Sequence, residues 1–151
     1  MFHRPALLPA LAACAALAAP ATAQDNPDVV TYPVAGSFDD AAFGLENAIL
    51  NKGLVVDHVS HVGEMLSRTA GDVGGDRDLF DAADVYQFCS AVLSRKVMEA
   101  DPLNVAHCPY GIFLFERDGQ VTIGHRRYPD GPMQEVQALL SEIAQEAAAT
   151  E

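Results

Sequence analysis

One predicted β-hairpin constrains the fold of this chain more than any other segment does. Two runs rich in β-forming residues, 110–117 and 120–127, are separated by Asp118-Gly119. This dipeptide is typical of a type I′ turn, in which both central residues take a positive φ. A two-residue loop joins strands only as antiparallel neighbours. The chain must therefore build a sheet that is at least partly antiparallel.

The segments around the hairpin alternate between strand and helix patterns. Runs of β-branched residues predict three further strands, at residues 29–34, 54–60 and 83–89. Capping residues and one-sided apolar patterns predict helices that begin after Ser37, near Gly63, after Ser90 and at Pro132. The order β-α-β-α-β-α-β-β-α shows no internal repeat. It predicts one α+β domain with a single, mainly antiparallel sheet and helices on one face.

The N-terminus has the pattern of a cleavable secretion signal. A positive segment ending at Arg4 precedes a long apolar stretch, and Ala21-Thr22-Ala23 supplies the small-x-small motif that signal peptidase recognises. The pattern predicts a signal peptide at residues 1–23, one domain at 24–151 and a core at about 29–146. Cleavage after Ala23 would make this a periplasmic or secreted bacterial protein.

The same segment also permits lipid anchoring. Leu11-Ala12-Ala13-Cys14 resembles a lipoprotein box, in which Cys14 would carry the lipid. Apolar sequence continues beyond Cys14 and a good cleavage motif lies downstream, which favours soluble export. The apolar stretch is short for a bilayer span and is interrupted by Pro9, so we expect no membrane span.

The charge balance limits the kinds of partner this protein can have. The chain carries 21 Asp and Glu residues against 9 Lys and Arg, a formal net charge of −12 at pH 7. So acidic a surface repels phosphate backbones and anionic lipid. We therefore expect no nucleic-acid partner, and a surface suited to cations, basic proteins or simple solubility.

Two cysteines, Cys89 and Cys108, remain once the predicted leader is removed. In an oxidising compartment such a pair favours a structural disulfide. A reactive thiol with a redox or persulfide function is a second hypothesis, because Cys89 ends a predicted strand where a helix begins, and a helix N-terminus lowers the pKa of a thiol. The chain contains no Cys-x-x-Cys motif of the thioredoxin type.

A metal site is the third hypothesis for the cysteines. Thiolates together with imidazoles suit copper or zinc. The candidate ligands are Cys89, Cys108, His58, His61, His107 and His125. The spacing of His58 and His61 would place them on opposite sides of a strand, unless the strand ends between them.

The hairpin register also defines a candidate polar site on one sheet face. With the turn at Asp118-Gly119, Ile112 lies opposite His125, so Tyr110 shares a face with His125 and Arg127. We expect His107 on the opposite face. The alternative is an ordinary half-solvated sheet surface, on which His125 and Arg127 point into water.

These observations leave three functional hypotheses. No Ser-His-Asp order, phosphate-binding loop or paired-carboxylate motif occurs, which favours a non-enzymatic role. The leading hypothesis is an exported accessory domain with a two-cysteine disulfide, thiol or metal site that binds a partner protein. The alternatives are a thiol-redox or sulfur-handling protein that uses Cys89, and a purely structural domain that forms homodimers through its open sheet face.

The sequence around the two cysteines resembles a bacterial family, the "domain of unknown function 302". That family has a strand, a cysteine, a helix, an acidic-proline step, and a second cysteine flanked by proline that enters a hairpin. The matching segments here are Tyr86–Ser90, Met98–Pro102, His107–Tyr110 and Phe113–Glu116.

The resemblance covers roughly residues 29–128. It implies a curved antiparallel sheet backed by helices, similar to the arrangement of TATA-binding proteins, and a tendency to form homodimers. It implies no activity, cofactor or nucleic-acid role.

Overall fold

Residues 26–149 are described by a computed structural model of the chain. The predicted signal peptide, the cleavage position after Ala23 and the alternative lipid anchor at Cys14 lie outside these residues. Within the described residues, no helix is both long enough and apolar enough to cross a membrane.

Five strands form one antiparallel sheet, which confirms the predicted fold class. The strands are β1 (Val29–Val34), β2 (Val56–Ser60), β3 (Ala82–Phe88), β4 (Tyr110–Arg117) and β5 (Gln120–Arg126). Their spatial order is β1-β5-β4-β3-β2, and every neighbouring pair is antiparallel. The hairpin is therefore not an edge feature, because β4 lies at the centre of the sheet with β5 beside it.

The predicted turn and register of the hairpin are confirmed. Asp118 has a φ of 54° and Gly119 a φ of 71°, the positive values that a type I′ turn requires. Arg117 pairs with Gln120, and Ile112 lies opposite His125. The turn chemistry thus sets which residues of β4 and β5 share a face.

Four α-helices occur in the described chain: α1 (Phe38–Asn51), α2 (Val62–Thr69), α3 (Ala91–Ala100) and α4 (Met133–Ala148). Short 3-10 turns occupy Ala70–Val73 and Pro102–His107. The Oγ of Ser37 accepts a hydrogen bond from the Asp40 N–H, and the Oγ of Ser90 accepts one from the Leu93 N–H. Both predicted N-caps are therefore confirmed.

The hydrophobic core lies between one face of the sheet and the pair α1 and α4. The fully buried side chains include Leu45, Ile49, Phe88, Tyr110, Ile112, Leu114, Ile123, Leu140 and Ile143. The strand members alternate with residues that point to the other side, because successive side chains of a strand face opposite ways. This alternation leaves a second sheet face that neither α1 nor α4 covers.

We call this second surface the open face. The strand register places eight residues at its centre: Val85, Gln87, Gly111, Phe113, Phe115, Thr122, Gly124 and Arg126. A Cβ on Gly124 would lie 2.6 Å from the carbonyl oxygen of Val30 and would also meet the ring of Phe113. Glycine is therefore required there, because the Phe113 ring lies over the strand.

Candidate functional site

The structure brings the two predicted cysteines together. Cys89 follows the last residue of β3, and Cys108 lies two residues before β4. The end of β3 pairs with the start of β4 through Phe88 and Tyr110. The two Sγ atoms are 2.7 Å apart, and both cysteines are half-buried free thiols. Because a disulfide bond is about 2.05 Å long, these sulfur atoms would bond after a sub-ångström movement and the loss of both thiol hydrogens to an oxidant.

The side chains next to the cysteines fix the position of this pair. Ser90 caps α3 directly after Cys89. Ser94, one turn into the same helix, lies with its Oγ 3.0 Å from the Tyr110 hydroxyl and 3.9 Å from the Cys108 Sγ. The hydroxyl of buried Tyr110 therefore has a partner, and it ties β4 to the helix that follows Cys89.

Burial raises the pKa of the Cys89 thiol to about 11, and the neighbouring Cys108 adds to this effect. The expectation that the N-terminus of the following helix lowers this pKa is thus reversed, since desolvation and the second sulfur outweigh the helix terminus. At neutral pH Cys89 is a protonated thiol, whereas the nucleophile in thiol chemistry is the thiolate.

The predicted metal ligands do not converge. His58 is exposed on β2, and His61 precedes α2 as its N-cap residue. His107 ends a 3-10 turn with its ring 5.5 Å from that of Tyr128, and His125 is in the core. In residues 26–149 no group of three His, Cys, Asp or Glu side chains is placed to hold a metal ion. Of these histidines, only His107, which directly precedes Cys108 in the chain, lies beside the cysteine pair, and it lines the same cleft as Cys108.

His125 corrects the predicted sheet-face site. The face that it shares with Tyr110 is the one packed against the helices, so both side chains are fully buried, and only Arg127, just after β5, is exposed. His125 Nδ1 lies 2.8 Å from the Arg126 carbonyl oxygen and Nε2 lies 3.0 Å from Ser141 Oγ. The alternative in which His125 points into water is therefore wrong as well.

An ion pair that the sequence did not indicate joins α2 to the sheet. The Nδ1 of His61 lies 2.8 Å from Asp84 Oδ1. The hydrogen bond to Asp84, and then its charge, raise the pKa of His61 above its usual value. No residue of α2 is fully buried, so this pair adds a specific polar contact between the helix and the sheet. Asp84 is 23 positions from His61 in the sequence, so only the folded structure shows that the two side chains are partners.

We predict that His61 titrates above pH 6.5 and that Asp84→Asn lowers its pKa. The raised folded-state pKa means that the pair stabilises the fold below pH 6.5, and that this contribution is lost as the pH rises through the pKa of folded His61. Proton NMR titration of the imidazole measures both effects. Asp81→Asn is the matched control, because Asp81 lines a cleft together with His61 and Asp84. Equal titration curves for wild type and Asp84→Asn would refute the assignment.

Comparison with known proteins agrees with this architecture. A family model described as "Domain of unknown function DUF302" matches residues 30–150. The crystal structure of an uncharacterized conserved DUF302 protein from Bacillus stearothermophilus superposes with a TM-score of 0.58 at 20% identity, covering 80% of this chain and 93% of that one. At that identity the likeness concerns the fold alone. No curated protein matches the chain.

Proposed function

This chain belongs to the DUF302 family of domains of unknown function, and we propose that it is an exported accessory domain whose functional centre is the Cys89–Cys108 pair. The observation that carries the proposal is the 2.7 Å separation of the two sulfur atoms. The leader pattern at residues 1–23 supports export with cleavage after Ala23. Export would place the pair in the periplasm or outside the cell, where disulfides persist.

Of the chemistries open to this pair, a disulfide has the most support. A reactive thiol needs a thiolate, and the raised pKa of Cys89 keeps that residue protonated at neutral pH. A copper or zinc site needs further ligands, and in residues 26–149 no group of three His, Cys, Asp or Glu side chains is placed to hold a metal ion. A disulfide needs the second sulfur, which is already adjacent, and an oxidant that accepts two electrons and two protons, which the oxidising compartment of an exported protein supplies. The thiol-redox role is therefore the alternative, and it requires conditions that deprotonate Cys89.

A second candidate role is homodimerisation through the open face. The chain has a net charge of −12, so two copies repel each other over most of their surfaces. The central open-face residues include no Asp or Glu, and they present Phe113 and Phe115. Two copies that meet on this face would avoid most of the like-charge contact.

A basic exported protein would be a different kind of partner, and it would bind the acidic surface outside the open face.

The first experiment is intact mass spectrometry of protein exported with its own leader. We expect the mass of a chain that begins at Gln24, less two hydrogen atoms. We expect no alkylation before reduction and two alkylated cysteines after it. Cys89→Ser and Cys108→Ser are the controls, because each leaves one thiol that alkylates without reduction.

The same samples distinguish the alternatives. Two cysteines alkylated before reduction would refute the disulfide, and rapid alkylation at Cys89 alone would then favour the thiol-redox role. A retained leader would refute cleavage after Ala23, and a lipid adduct at Cys14 would replace soluble export by anchoring. A native spectrum that shows only monomer would refute the homodimer.

A further inference from the structure

A cleft at one end of the open face lies beside Cys108. Its volume is about 340 Å³, at the lower end of the range for small-molecule sites. The strands β3, β4 and β5 supply its floor, and the segment from Ala106 to Pro109 supplies a wall that includes Cys108. The cleft therefore lies where the wall segment approaches the uncovered sheet.

The floor of the cleft is open because Gly111 has no side chain. A Cβ at Gly111 would approach only Val85 Cγ1, at 3.5 Å, which is an ordinary van der Waals contact. Packing therefore does not require glycine at this position, in contrast to Gly124. Val85 and Phe113 flank the space and give it apolar sides.

The polar groups of the cleft are arranged for an anion. None of its lining residues is Asp or Glu, although the chain has 21 of them. Arg126 is exposed and forms no ion pair with any carboxylate of residues 26–149. The side-chain amide of half-buried Gln87 makes no hydrogen bond to any described residue. Both groups are thus available to a ligand.

We propose that this cleft binds a small organic carboxylate with an apolar body. The planar guanidinium of Arg126 matches a carboxylate in a two-point hydrogen bond. The Gln87 amide donates a further hydrogen bond, and the body of the ligand packs over Gly111 against Phe113 and Val85. Cys108 lies in the wall of the cleft, but the contacts proposed for the ligand involve Arg126, Gln87, Phe113 and Val85 and not the sulfur atoms. A homodimer that covered Phe113 would exclude the ligand.

The test is an amide NMR titration of the mature protein with phenylacetate. We expect saturable shifts at Gly111, Gln87 and Phe113, and at least about tenfold weaker binding for Arg126→Gln, as the loss of a charge-assisted hydrogen bond predicts. Arg127→Gln is the matched control, because Arg127 is adjacent and exposed but does not line the cleft. Gly111→Val should fill the floor of the cleft and abolish binding. The amide chemical shifts of residues distant from the cleft should match those of the wild type.

Further outcomes would overturn the proposal. These are the absence of saturable shifts at the cleft, equal affinity of the Arg126→Gln and Arg127→Gln variants, and binding of the neutral 2-phenylethanol as tight as that of phenylacetate. Inorganic phosphate serves as the competing anion; tighter binding of phosphate would refute the carboxylate assignment. None of these results bears on the mass of the cysteine pair, so this proposal and the disulfide succeed or fail separately.

Discussion

Reduction of the exported protein lowers its free energy of unfolding by about 3 kcal/mol, if Cys89 and Cys108 form a disulfide. The two cysteines are 19 positions apart, and a cross-link that closes a loop of roughly this length removes about 3 kcal/mol of chain entropy from the unfolded state. The closed segment holds α3 and the turn at Pro102–His107 between the central strands. We expect reduction to lower Tm by roughly 10 °C for a domain of this size.

Urea unfolding with and without a phosphine reductant measures this difference. The Cys89→Ser/Cys108→Ser double variant is the control: it should match the reduced protein and should not respond to the reductant. Equal stability of the oxidised and reduced protein would contradict the proposed cross-link. A reductant effect of the same size in the double variant would show that it acts elsewhere.

The fold was predictable where the signals were local. The turn at Asp118-Gly119 fixed both the hairpin and its register, and Ser37 and Ser90 marked the starts of α1 and α3 through single hydrogen bonds. The least accurate strand boundary is that of β2, predicted from Leu54 but observed from Val56. Leu54 packs against the core but pairs with no other strand. Its apolar side chain, which the core requires, made it resemble a strand residue in the sequence.

The candidate site was less predictable because it depends on long-range pairing. Local alternation showed that Tyr110 and His125 share a face, but not that the helices cover that face. The adjacency of Cys89 and Cys108 follows from the pairing of β3 with β4, which no local pattern encodes. For the same reason the helix N-terminus suggested a lowered pKa for Cys89, while the burial that raises it arises only in the assembled fold.

We expect His125→Ala to lower the free energy of unfolding by about 3 kcal/mol, similar to other large truncations in a packed core. The carbonyl oxygen of Arg126 can only accept, so Nδ1 of His125 carries the proton and donates, and Nε2 accepts from the Ser141 hydroxyl. Truncation removes both hydrogen bonds and leaves a cavity beneath α4. Ser141→Ala, the matched control, loses only one of these bonds and should cost about 1 kcal/mol.

The same residue makes stability depend on pH in a defined direction. Burial lowers the pKa of folded His125, and the charge of Arg127 adds to this, so the unfolded chain binds more protons as the pH falls below about 6.5. The stability that neutral His125 provides is therefore complete above pH 6.5 and is lost as the pH falls toward the lowered pKa. Urea midpoints measured from pH 7.5 to 5 should decline less in His125→Ala than in the wild type. His61, whose effect has the opposite sign, is present in both proteins and cancels in the comparison. Parallel pH profiles would contradict the lowered pKa, because they would mean that His125 binds its proton equally well in the folded and the unfolded chain.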